Sequence, residues 1–170
     1  MSHTPIETMR HSAAHLLAAA VLELYPEAKL GVGPAIEHGF FYDLLLAKPL
    51  TVQDLPKIEK RMRELQKRNE AFRREEMPID DAIKFFKENG QTFKGELLKD
   101  LKTRGTTAIR AEEAQDLDPK AVAQVSVYWT GKFVDLCRGP HVNSTREIGH
   151  FKLTKVAGAY WRGNEKNSQL

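Results

Sequence analysis

The sequence predicts an α+β fold, a largely antiparallel sheet packed with helices. Three observations carry this expectation. Leu55, Ile58, Met62 and Leu65 recur at spacings of three and four, the stripe of an amphipathic helix. Residues 124–136 alternate as a β-hairpin does. Helical and strand-like stretches follow one another without βαβ regularity.

The elements follow in chain order. Thr4, Pro5 and Glu7 read as an N-cap, a proline at the first helical position and a reaching glutamate. This helix runs through HSAAH (residues 11–15) to about Tyr25, where Pro26 stops it. Residues 30–33 read as a short strand and 39–46 as a longer, aromatic one. A second helix begins at Thr51, with Asp54 in the capping-box position. Its other faces carry Lys57, Lys60, Arg61, Arg63, Lys67 and Arg68, interrupted by Glu59 and Glu64, which reads as a solvated face. A strand is expected over 72–77, a short helix over 78–89 closed by Gly90, and another over 92–102 ended by Gly105. Residues 106–119 are polar and read as a loop. The hairpin turns near Thr130 and Gly131, and its alternation puts Phe133, Asp135 and Cys137 on one face. Gly139 and Pro140 break regular structure before His141.

Composition bounds the rest. A chain of 170 residues, 41% hydrophobic and 29% charged, can bury a core as one domain or a domain with a short tail. No apolar run approaches the ~20 residues of a membrane helix, and the N-terminus lacks a signal-peptide core. The expectation is a cytoplasmic protein without a membrane partner. A single cysteine excludes an internal disulfide and suits a reducing compartment. The net charge of +3 permits an RNA partner without demanding one.

The chemistry concentrates in two pairs. His11 and His15 stand four residues apart on the first helix, so both rings share a face, with only Ser12, Ala13 and Ala14 between them. Cys137 and His141 repeat the spacing in an irregular segment. A lone histidine is more often packed against a carbonyl, and a lone cysteine is more often a small buried hydrophobe. Here the only cysteine and three of the six histidines fall into two such pairs. That points to one composite site, either a four-ligand zinc cage or a polar catalytic pocket.

The strings HSAAH, LGVGPAIEHGFFYD (residues 30–43) and VDLCRGPH (134–141) closely resemble the editing domain of bacterial-type threonyl-tRNA synthetases. That family is related to the alanyl-tRNA editing domains, which share the HxxxH and CxxxH pairs. The stretch at 151–163 looks like the family's link into its catalytic domain. The resemblance therefore implies an editing domain over residues 1–150 and a linker over 151–170 toward a class II catalytic domain that this chain lacks. It implies hydrolysis of mischarged seryl-tRNA(Thr). Serine differs from threonine by one methyl, worth only ~1–3 kcal/mol to a binding pocket, so a second, hydrolytic sieve is needed. The implied partners are the serine-bearing acceptor end of tRNA(Thr) and the synthetase's own catalytic and anticodon-binding domains. Aminoacylation by this chain alone is not expected.

Carried over by position, His11, His15, Lys94, Cys137 and His141 are the implied catalytic residues. Asp135, Tyr128, Tyr42, Gly33 and Arg138 are the implied substrate-binding ones. His11 and Cys137 would position or activate water. Lys94 would stabilise developing charge or protonate the leaving oxygen. Asp135 would bind the serine ammonium, and His15 and His141 would hold the terminal adenosine. Gly33 would let a ligand approach closely, and Arg138 would meet a phosphate. By residue type alone, Lys94 fits an ordinary solvated lysine equally well. Cys137 as a covalent nucleophile carries less weight, because an ester is reactive enough for a positioned water. No cofactor is required by this reading. Zinc on His11, His15, Cys137 and His141, as in the alanyl-type relatives, is the alternative. The competing function is a tRNA-end-binding or zinc-binding module without turnover.

Overall fold

The computed structural model describes residues 5–104, Glu113, Asp116 and residues 123–170. The expected cap at Thr4, the stop at Gly105 and most of the expected loop at 106–119 lie outside the described residues. The architecture is α+β, with helices and small antiparallel sheets. Two compact units divide the chain: residues 1–72 with 140–170, and residues 73–139.

The first unit is built on α1 (Pro5–Leu24). Its Ala13, Ala14, Ala18, Ala19 and Ala20 are buried, and such small side chains let neighbouring backbone come close. Proline occupies the first helical position, as expected. Against α1 pack α2 (Leu55–Lys67) and a 3₁₀ turn at Thr145–Ile148. The stripe on α2 behaves as the spacing predicts: Ile58, Met62 and Leu65 are buried and Leu55 is half-buried. The helix does not begin at Thr51. A 3₁₀ turn over Val52–Asp54 precedes it, with Pro56, which has no N–H to give, in its first turn. The Thr51 N–H donates to Asp54 Oδ2 at 2.7 Å, so the expected capping pair is present.

The long strand expected over 39–46 is two short ones. β1 (Lys29–Leu30) pairs with β4 (Leu44–Leu45), while β2 (Ala35–Ile36) pairs with β3 (Gly39–Phe40). The Gly31 N–H donates to the Asp43 carbonyl and the Asp43 N–H to the Val32 carbonyl, both at 2.8 Å. Pro34 then cannot donate, so the ladder stops and the hairpin at 35–40 stands apart. The 151–170 stretch has order of its own. Tyr160 bridges Gln169, Ala159 and Leu170 exchange backbone hydrogen bonds, and Trp161 is buried.

The second unit contains a three-stranded sheet in the order β5 (Phe72–Pro78), β6 (Gln124–Thr130), β7 (Phe133–Leu136). The β6–β7 hairpin turns at Gly131, which takes φ +61°. Its register sets Tyr128 opposite Asp135 and Val127 opposite Leu136. Two helices, α3 (Ile79–Glu88) and α4 (Thr92–Arg104), pack on each other, and α3 also touches β6. Gly90, at φ +73°, closes α3 as predicted. Among the described residues, no helix is long and apolar enough to cross a membrane.

Candidate functional site

The first unit gathers three imidazoles. His11 and His15, one turn apart on α1, are both buried, with ring centroids 5.1 Å apart and nearly perpendicular planes. The His141 ring lies 4.4 Å from His11 and 4.2 Å from His15. The same ring stacks on Phe72 at 4.8 Å, with an interplanar angle of 12°. One nitrogen from each ring falls within 4.8 Å of the others, a spacing that could hold a metal ion. Burial, reinforced by the neighbouring His11, pushes the His141 pKa well below 6.5. His141 is therefore neutral at physiological pH, the state in which an imidazole accepts a proton or a metal.

A residue that spacing did not single out holds this cluster. Ser12 is fully buried. Its Oγ lies 2.9 Å from His141 Nδ1 and 2.9 Å from the Thr8 carbonyl oxygen, and it accepts the Val142 N–H at 3.1 Å. In the sequence Ser12 reads only as a small neighbour of two histidines.

The second unit gathers charges. Lys94, on α4, has no exposed surface, so the solvated-lysine alternative is overturned. Its Nζ lies 2.7 Å from Asp116 Oδ2 and 3.2 Å from Asp135 Oδ1. Burial alone would lower the lysine pKa, but the two carboxylates outweigh it and hold the ammonium charged. Burial pushes the Asp116 pKa up to about 7, against the pull of Lys94, and Asp135 adds to the rise. Asp116 sits in the stretch expected as a polar loop, and no spacing or motif marks it. With both carboxylates ionised the trio carries one net negative charge, the complement of a cation.

Cys137 lies just beyond β7 and is fully buried. Its N–H donates to the Ser126 carbonyl at 3.1 Å, Ser126 Oγ donates back to the Cys137 carbonyl at 2.6 Å, and the Gly139 N–H donates to Sγ at 3.2 Å. Burial, then the charge of Asp116, drives the thiol pKa well above 9.0 despite the Gly139 N–H. Gly139 takes φ +80°, and a Cβ there would meet the Tyr128 hydroxyl at 2.4 Å. Tyr128 is half-buried, and burial followed by the Cys137 thiol raises its phenol pKa. Arg138 is exposed.

Gly33 and Tyr42 meet in the first unit, for a different reason than expected. A Cβ on Gly33 would lie 2.1 Å from Tyr42 Cδ2. The buried Tyr42 ring fills the space over Gly33, so the bare glycine admits a side chain of its own protein rather than a ligand.

The profile of the threonyl and alanyl tRNA synthetase second additional domain matches residues 125–170. Over 165 residues, 97% of its length, the chain is 51% identical to a threonine–tRNA ligase of Dehalococcoides mccartyi. Over the same share it is 48% identical to that of Aromatoleum aromaticum and 49% to that of Dechloromonas aromatica. The chain is similar to the threonine–tRNA ligases over nearly its whole length. It spans about a quarter of their length, 23–25% of these three. Tyr128, Asp135, Cys137, Arg138 and His141 fall in the stretch matched by the profile, and His11, His15 and Lys94 fall outside it.

Proposed function

We propose that this chain is an editing hydrolase that cleaves the aminoacyl ester of seryl-tRNA(Thr). The observation that carries the reading is a cluster of three imidazoles, two of them buried and the half-buried His141 held neutral, in a chain about half identical over its length to threonine–tRNA ligases. A neutral imidazole can take a proton from water as that water attacks the ester carbonyl. Cys137 belongs to the same site in this reading. Only three residues separate it from His141, so the chain keeps their Cα atoms within about 14 Å. With its pKa raised by burial, Cys137 is a neutral thiol that donates to water or to an oxyanion rather than attacking as thiolate.

On the resemblance, Lys94 and Asp135 carry the charges the reaction needs. Asp135 pairs with the substrate ammonium, and Lys94 stabilises the oxyanion or protonates the departing ribose oxygen. Tyr128, opposite Asp135 in the hairpin, lines the pocket. His15 and His141 hold the terminal adenosine beside the ester, and Arg138 meets a phosphate of the acceptor end. Size makes the pocket a sieve: serine enters, and threonine with its extra methyl does not. The remaining domains of the ligase would present the tRNA, and the cytoplasm is where this substrate is found.

Zinc is the second reading, favoured by the imidazole nitrogens within 4.8 Å of one another. His11, His15 and His141, with Cys137 as the fourth donor, form a set suited to tetrahedral zinc. Zinc would supply Lewis acidity or a purely structural tie. Metal analysis of protein prepared without chelators or a nickel column decides between this and a metal-free pocket.

The test of function is deacylation. Seryl-tRNA(Thr) and threonyl-tRNA(Thr) are incubated with the chain, and released amino acid is measured. Serine release above buffer, with threonine retained, is expected. No serine release from a folded chain that still binds the tRNA end would instead favour a binding module.

A further inference from the structure

The surroundings of Ser12 point to a proton arrangement in the imidazole cluster. A serine hydroxyl has one hydrogen to donate and two lone pairs to accept with. Around Ser12 Oγ stand three partners: the Thr8 carbonyl oxygen at 2.9 Å, His141 Nδ1 at 2.9 Å and the Val142 N–H at 3.1 Å. The Val142 N–H can only donate, and the Thr8 carbonyl can only accept. The undecided partner is His141 Nδ1, which donates in one neutral tautomer and accepts in the other.

Only one assignment satisfies all three contacts. If Ser12 donated to His141 Nδ1, two oxygens, Ser12 Oγ and Thr8 O, would face each other at 2.9 Å with no proton between them. If Ser12 donates to the Thr8 carbonyl, its lone pairs accept from Val142 N–H and from Nδ1–H. Ser12 is fully buried, so water does not compensate the first arrangement. Back-bonding to the carbonyl one turn earlier is also a common choice of a helical serine.

We infer that Ser12 is a positioning residue that locks His141 as the Nδ1–H tautomer and so makes Nε2, on the opposite edge of the ring, its basic nitrogen. Phe72 and His11, both stacked on the His141 ring, hold its plane. Joined to the editing reading, on which this second step rests, the tautomer makes His141 Nε2 the acceptor for the proton of the attacking water. His141 then does more than hold the adenosine.

The test reads the tautomer directly. Ring nitrogen-15 shifts and their couplings to the ring carbon protons are recorded on the labelled chain at pH 8, where an ordinary imidazole of pKa ~6.5 is neutral. The His141 signals are assigned by their loss in His141→Gln. A protonated-type Nδ1 and an unprotonated-type Nε2 are expected, and an Nε2–H pattern in the unmodified chain overturns the inference. In Ser12→Ala the Nε2–H form should gain population, and seryl-tRNA(Thr) hydrolysis should fall about 10- to 100-fold, the usual effect of losing a residue that orients a site imidazole. An unchanged His141 tautomer in Ser12→Ala removes Ser12 from the role. If the unmodified chain shows Nδ1–H but releases no serine, the editing reading falls and the tautomer stands. If it releases serine with Nε2–H, the tautomer falls and the editing reading stands.

Discussion

Lys94 Nζ stands 2.7 Å from Asp116 Oδ2, and neither side chain is more than 6% exposed. With Asp135 on its other side, Lys94 balances two buried carboxylates. Removing one partner of such a buried set leaves uncompensated charge, which costs ~3–5 kcal/mol. Lys94→Met should lower the unfolding free energy read from urea titration by that order. Adding Asp116→Asn to Lys94→Met should recover part of the loss. A double variant no more stable than Lys94→Met would show that the pair is not coupled.

The same aspartate makes stability depend on pH. Its folded pKa, about 7, lies above the ordinary 3.8. Between these values the folded state binds the extra proton. Its contribution is full below about pH 4 and is lost as pH rises through about 7. Thermal midpoints of the unmodified chain and Asp116→Asn, compared from pH 4 to 8, should therefore diverge, with the unmodified chain losing relative stability toward pH 8. Parallel curves would contradict a raised carboxyl.

His141 works in the opposite direction. Its folded pKa lies well below 6.5, so the unfolded chain takes up the proton first. The contribution is present above pH 6.5 and is lost as pH falls toward the folded pKa. His141→Gln should flatten the loss of stability below pH 6.5 that remains after Asp116→Asn. An unchanged slope in the denaturation series would show that His141 titrates normally.

Gly33 and Tyr42 offer a packing test. A Cβ on Gly33 would overlap the Tyr42 ring, whereas one on Gly39 meets nothing within 4 Å. Gly33→Ala should destabilise by ~1–3 kcal/mol, the usual effect of overpacking, while Gly39→Ala should be near neutral. Equal melting temperatures for the two variants would remove the ring from its place over Gly33.

Cys137 tests the route of hydrolysis. Its side chain is buried and its pKa lies well above 9.0, so iodoacetamide at pH 7 should label it far more slowly than a free thiol. Cys137→Ser should keep serine release within about tenfold of the unmodified chain if water attacks directly, since a hydroxyl still donates a hydrogen bond. A trapped acyl-enzyme on Cys137 would require the covalent route instead.

Much of this molecule is legible along the chain because its signals are local. The stripe from Leu55 to Leu65 is a periodic signal, and it packs as its period demands. Four residues of helix put His11 and His15 on one face whatever surrounds them. The hairpin at 124–136 follows from alternation and a glycine that accepts a left-handed turn. The expected strand at 39–46 failed because strand pairing is not local: Pro34, on the partner segment, ended the ladder. Lys94 looked ordinary for the same reason. Nothing within a few residues of it says that Asp116 and Asp135, 22 and 41 positions away, will take its charge out of water. Residue types and helical periodicity thus determined which side chains this protein has for its chemistry. Tertiary packing alone decided their protonation, because desolvation, partner charges and a buried hydroxyl such as Ser12 act through space.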